Sequence, residues 1–184
     1  MKRICVATTF AVMCLLSAHV STAKEQNFLQ NTVYDKVGQS QHVDPALLYS
    51  ISLVESAKAH GDVDGQRMVA PHKYAIRTPE GAYFPNNIDE ALATLKQQLK
   101  RYKKKEIDVG LMQINGQHFY RVNKPEDLLN PNINVRVASD ILKEALNSSG
   151  DFEERVGRYH SYTPWRARAY GARVVAIYNN LKEL

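Results

Sequence analysis

Gly110-Leu111-Met112-Gln113-Ile114-Asn115 is the stretch on which the fold turns: behind a leading glycine, amide side chains alternate with apolar ones. Its counterpart upstream is Glu55-Ser56, at the end of a run that begins at Asp44-Pro45. Aspartate is a good helix N-cap, and proline is at home in the first helical position. Leu47, Leu48, Ile51, Leu53 and Val54 then make the run apolar on nearly all sides, which predicts a central, buried helix. It runs out near residues 57–61, so Glu55 sets a carboxyl at the end of a buried helix.

Helical spacing continues on both sides of this pair. Phe28, Val33, Val37 and Val43 suggest a first helix. Residues 62–87 read as non-helical, with 74–77 and 82–84 flanking the turn Thr78-Pro79-Glu80-Gly81 as two short strands. Asn87 and Glu90 have capping-box spacing for a helix through Tyr102, whose one apolar face carries Ile88, Ala91, Leu92, Leu95 and Leu99. The cations from Lys100 to Lys105 suit its C-terminal dipole. Asn134 is expected to cap a helix through Leu146; Phe152–Tyr159 opens another, and a last one spans about Pro164 to Leu181 with Tyr170, Val174 and Ile177 in step. The expected fold is mostly α, a single helical domain with a small β-hairpin element.

Residues 1–23 read as a signal peptide. Lys2-Arg3 forms a basic start, Ile4–Leu16 an apolar stretch short for a bilayer span, and Ser21-Thr22-Ala23 a small-residue cleavage site. An uncleaved anchor is the alternative. Cleavage predicts export to the periplasm, with no stable membrane insertion afterwards and a domain spanning residues 24–184. Both cysteines, Cys5 and Cys14, lie in the removed segment, so the exported chain depends on core packing without disulfides. The formal charge is +5, and +3 once Lys2 and Arg3 are gone. That mild balance suits an anionic polymer and argues against nucleic acid, whose binders concentrate charge far more heavily. The six histidines are scattered, so no metal site and no cofactor is expected.

Glu55-Ser56 followed by Gly110–Asn115, then Asn130-Pro131-Asn132-Ile133 and Tyr159, resembles the transglycosylase SLT family of lysozyme-like enzymes, which cut the glycan strands of peptidoglycan. The resemblance covers most of the chain after about residue 44. It implies an α+β lysozyme-like fold, with Glu55 and Tyr159 as catalytic residues and Ser56, Met112, Gln113 and Asn115 in contact with substrate. On the residues alone, Glu55 is open to two readings: a partly desolvated acid with a raised pKa, or an ordinary exposed helix-end glutamate. Ser56 is either a partner of the glutamate or substrate, or a plain helix serine. Met112 offers a soft apolar surface to a sugar face, and the amides of Gln113 and Asn115 suit N-acetyl groups, unless they only satisfy a buried turn.

Most glycosidases flank the scissile bond with two carboxylates. The family needs one, which acts first as acid and then as base towards the sugar's own 6-hydroxyl, closing a 1,6-anhydro ring. Asp108 is the nearest second carboxylate, and a loop acid capping local amides is its simpler reading. Two departures stand out. Residues 57–109, including the segment of about 62–105 with its hairpin and helix, separate motifs that are usually close; that insertion either walls the cleft or docks partners. The usual Tyr-Asn-Ala-Gly is replaced by Tyr159-His160-Ser161-Tyr162, and Tyr-His-Ser before Thr163-Pro164 looks like the small transglycosylases of conjugation and type IV secretion systems. The expected tyrosine hydroxyl contact is to the acid. The expected partners are peptidoglycan strands and an envelope-spanning secretion or conjugation apparatus. A lysozyme-type hydrolase and a non-catalytic peptidoglycan-binding scaffold are the competing readings.

Overall fold

The computed structural model describes residues 28–63 and 65–183. The expected signal peptide lies outside the described residues. Helix α1 (Val33–Gln41) is shorter than the apolar spacing suggests: Thr32 caps its start through the Asp35 N–H, and His42 ends it in the left-handed region at φ 55°. Helix α2 (Pro45–Ser56) begins as expected, with the Asp44 side chain accepting from the Ala46 N–H. Leu48 and Ile51 are fully buried, so α2 is the central helix of the domain.

The chain then leaves α2 as a strand. β1 (Ala57–Val63) pairs antiparallel with β2 (Gln66–Pro71), a hairpin where the sequence reading placed none. The second hairpin is where it was expected: β3 (Ile76–Thr78) and β4 (Gly81–Tyr83) close around Pro79-Glu80. Two further short strands, β5 (Asp108–Val109) and β6 (Ile114–Asn115), extend it into an antiparallel sheet of order β4-β3-β5-β6.

The register of this sheet decides which residues face the site. Ile76 lies opposite Val109 and Val109 opposite Ile114, while Arg77 lies opposite Asp108 and Asp108 opposite Asn115. Side chains alternate between sheet faces. The three aliphatic residues therefore go to the core, where each is at most 1% exposed. Arg77, Asp108 and Asn115 share the other face.

Helix α3 (Ile88–Arg101) buries Ala91 and Leu95, with Leu99 partly buried; Ile88 and Leu92 stay more than a third exposed. Its cap differs slightly from the expected box. Asn87 accepts from the Glu90 N–H, and the Glu90 carboxylate accepts from the Asn86 N–H and the Asn87 side-chain amide.

Helix α4 (Pro131–Leu146) is capped by Asn130, which accepts from the Asn132 and Ile133 N–H groups, and not by Asn134. Asn134 is fully buried one turn later, and its polar side chain serves the site. Helix α5 (Phe152–Gly157) starts from an Asp151 cap, and α6 (Pro164–Lys182) packs on it backbone to backbone. A Cβ on Gly157 would meet the Ala167 carbonyl oxygen at 1.8 Å, and one on Gly171 the Glu153 carbonyl oxygen at 1.8 Å. That close crossing brings Tyr159 and His160, just past α5, alongside Tyr170 of α6.

Candidate active site

A cleft of about 280 Å³ opens between α2, the sheet and the α5–α6 corner. Glu55, Arg77, Asp108, Gln113, Asn115, Tyr159 and His160 line it, together with Gln117, His118 and Ile141. Glu55 is 12% exposed. Burial removes the water that would stabilise its carboxylate and pushes its pKa up from 4.5 to about 7, against the downward pull of the Tyr170 hydrogen bond and of Arg77 and Arg173. Asp108, which shares the cleft, adds to the upward shift through its negative charge.

The Tyr170 hydroxyl donates to Glu55 Oε1 at 2.7 Å. His160 stacks parallel on the Tyr170 ring, 4.8 Å between centroids, and its Nδ1 lies 4.0 Å from the same Glu55 oxygen. Burial and the neighbouring Arg173 lower the pKa of this histidine. The acid is thus fixed from one side by a tyrosine with a histidine stacked on its ring. Sequence reasoning missed Tyr170, because its position in the helical repeat matches that of a plain core residue. The usable signal was chemical: a buried tyrosine hydroxyl needs a partner.

Tyr159 was expected to touch the acid. Its hydroxyl instead donates to the Met112 carbonyl at 2.7 Å, and the contact to Glu55 falls to Tyr170 eleven residues later. Ser56 also lies behind the cleft: it is 3% exposed and donates to the Leu111 carbonyl at 2.7 Å, tying the end of α2 to the loop before β6. Met112 is fully buried and presents no surface to a sugar.

Gln113 and Asn115 do line the cleft, with their amide nitrogens already committed. Gln113 Nε2 donates to the Ala75 and Gly110 carbonyls, and Asn115 Nδ2 to the Lys105 carbonyl and Asp108 Oδ1. Gln113 has φ 44°, a conformation uncommon for a residue with a side chain, in the tight turn that its N–H closes on the Gly110 carbonyl at 3.0 Å.

Asn134 holds this loop in place. It accepts from the Met112 N–H at 2.8 Å and donates to the Val109 and Leu128 carbonyls at 2.8 and 2.9 Å. Gly110 passes directly over it at φ 82°, where a Cβ would sit 2.2 Å from the Asn134 amide nitrogen. Glycine is required there on both counts. Asp108 is not a loop acid capping backbone amides. It stands on β5 facing the cleft, accepts from the Asn115 side chain at 2.8 Å, and has its pKa raised by burial.

A helical domain with a small antiparallel sheet and a buried carboxyl in the cleft between them has the lysozyme-like architecture. The family model of the transglycosylase SLT domain matches residues 32–180, and the chain belongs to that family, whose members are lytic transglycosylases acting on peptidoglycan. Neither a curated protein nor a solved structure gives a match.

Proposed function

We propose that this chain is a lytic transglycosylase that cleaves the β-1,4 bond between N-acetylmuramic acid and N-acetylglucosamine, leaving a 1,6-anhydro end. The observation that carries the reading is Glu55, a nearly buried carboxyl on the cleft wall whose pKa is pushed up to about 7. A group with that pKa holds its proton long enough to act as acid near neutral pH and releases it readily enough to act as base.

The steps follow from one carboxyl. The Glu55 O–H protonates the glycosidic oxygen as the C1–O bond breaks, and the N-acetyl oxygen of the same sugar stabilises the cation at C1. The Glu55 carboxylate then takes the proton of the C6 hydroxyl as O6 bonds to C1. The acid is regenerated and no water is consumed. Tyr170 orients the carboxyl through Oε1, leaving the other oxygen for the substrate. Gln113, Asn115 and Tyr159 shape the sugar-binding wall, with Ser56 and Met112 supporting it from behind. Glu55→Gln is expected to abolish solubilisation of purified peptidoglycan with an unchanged circular dichroism spectrum. Retention of a large share of wild-type activity would remove Glu55 from its role.

Asp108 supports a second reading. It is a carboxylate in the same cleft, so a water held between it and the sugar could replace the 6-hydroxyl and make the enzyme a hydrolase. A non-catalytic scaffold has no use for a buried acid held by a tyrosine. The reading includes export to the periplasm, supported by the character of residues 1–23, and service to an envelope-spanning secretion or conjugation apparatus, supported by Tyr159-His160-Ser161 before Thr163-Pro164. Fractionation of cells expressing the full chain tests the location: recovery in the cytoplasm would contradict it.

A further inference from the structure

Three guanidinium groups lie near His160, beside the acid, and two of them, Arg77 and Arg173, also act on Glu55 itself. Arg77 comes from β3, lines the cleft, and directs Nη2 to the Glu55 backbone carbonyl at 3.5 Å. Arg166 and Arg173 come from α6, one turn before and one turn after Tyr170, so the three residues share a helix face. The Arg166 guanidinium lies 5.1 Å from the Trp165 ring and that of Arg173 5.7 Å from the Tyr170 ring, distances at which an aromatic face attracts a cation. All three arginines are exposed, and none takes part in an ion pair among the described residues.

Their presence runs against the acid's needs. Arg77 and Arg173 pull the Glu55 pKa down while burial raises it. Cations that stand outside any salt bridge beside the acid, as Arg77 does even opposite Asp108, are suited to a negative charge arriving with the substrate. The sugar rings of the glycan are neutral. Its anions are the carboxylates of the peptide stems, which hang from the lactyl group of the muramic sugar next to the bond to be cut. A guanidinium fork matches a carboxylate with two parallel hydrogen bonds.

On the reading of the cleft as a peptidoglycan-cutting site, we propose that Arg77, Arg166 and Arg173 form a clamp for stem-peptide carboxylates. The enzyme therefore selects strands that carry charged peptides over strands whose stems are neutral.

The test uses soluble peptide-bearing glycan strands and the same strands after their carboxylates are converted to amides with carbodiimide and ammonia. Wild-type protein is expected to show a KM roughly tenfold higher on the amidated strands, equivalent to about one carboxylate–guanidinium interaction. The combined variant Arg77→Gln, Arg166→Gln and Arg173→Gln loses that discrimination, with equal KM on both strands. Removing these cations also lets the Glu55 pKa rise and moves the pH profile of both substrates alike, so the ratio of the two KM values is the diagnostic. Equal wild-type KM on charged and amidated strands, or unchanged discrimination in the triple variant, overturns the clamp.

Binding of the Glu55→Gln protein to the two uncleaved strands, followed by fluorescence anisotropy, reads the same preference without turnover. If no strand is ever cut, the catalytic reading fails while the anisotropy ratio still decides the clamp.

Discussion

At the scale of single residues, the proposed role of Glu55 would couple catalysis to stability. Its carboxyl, pushed up from 4.5 to about 7, keeps a proton in the folded chain over a pH range where the unfolded chain has lost it. The folded state therefore binds more protons, and stability falls as pH rises through that window, with the loss complete above it. At 1.36 kcal/mol per pH unit the whole effect is about 3 kcal/mol. Glu55→Gln does not ionise, so its Tm should exceed that of wild type by several degrees at about pH 8 and by little at about pH 4. Equal Tm differences at both pH values would show that the carboxyl is not perturbed.

The two tyrosines separate by the same logic. Tyr170→Phe removes a hydrogen bond that favours the carboxylate. It should lower kcat roughly tenfold, leave KM nearly unchanged, and move the alkaline limb of the pH profile to higher pH. Tyr159→Phe strands only the Met112 carbonyl, with an expected cost of about 1 kcal/mol in stability and no shift of that limb. Glu55 was singled out in the sequence by its place in the family pattern, since a carboxyl at the end of an apolar helix left two readings open. Tyr170 was not, since the bond joins positions 115 residues apart and only the α5–α6 crossing selects it over Tyr159.

At the scale of elements, the site loop depends on one buried side chain. Asn134 bonds the Met112 N–H and two carbonyls, so Asn134→Ala removes three buried hydrogen bonds at once. The expected loss is about 2–4 kcal/mol in denaturant unfolding, with activity falling in parallel. A loss under about 0.5 kcal/mol would show that the loop holds its own shape. In sequence Asn134 passed for a helix cap; Asn130, one turn earlier and followed by proline, had the stronger claim and holds the cap. The β1–β2 hairpin was hidden for a different reason. Its strands are short of β-branched residues and partly exposed, so no alternation of burial marks them, although Asp64-Gly65 is a hairpin signal. The 62–105 segment contributes to both the sheet and the core. β3 stands between β4 and β5, and Ile76, Ala91 and Leu95 are in the core. Replacing residues 64–104 by a flexible linker should therefore abolish cooperative unfolding, and a folded product with native-like Tm would contradict the role of β3.

At the scale of the whole molecule, the mostly α class and the order of the motifs were legible because helix caps and apolar spacing act locally. The cleft was not, because it is made where Arg77, Asp108 and Asn115 align across three strands and meet α2 and the Tyr159-His160 corner after α5. The same assembly gives the enzyme one acid held by Tyr170 and a second carboxylate nearby, and so two possible fates for the cation at C1. In the proposed reaction the 6-hydroxyl is the nucleophile and Glu55 the one acid and base. Mass spectrometry of the soluble products from purified peptidoglycan tests that directly. The expected products are muropeptides ending in 1,6-anhydro-N-acetylmuramic acid, one water lighter than hydrolysis products, and none with Glu55→Gln. Products with free reducing muramic ends would contradict it and make the enzyme a hydrolase.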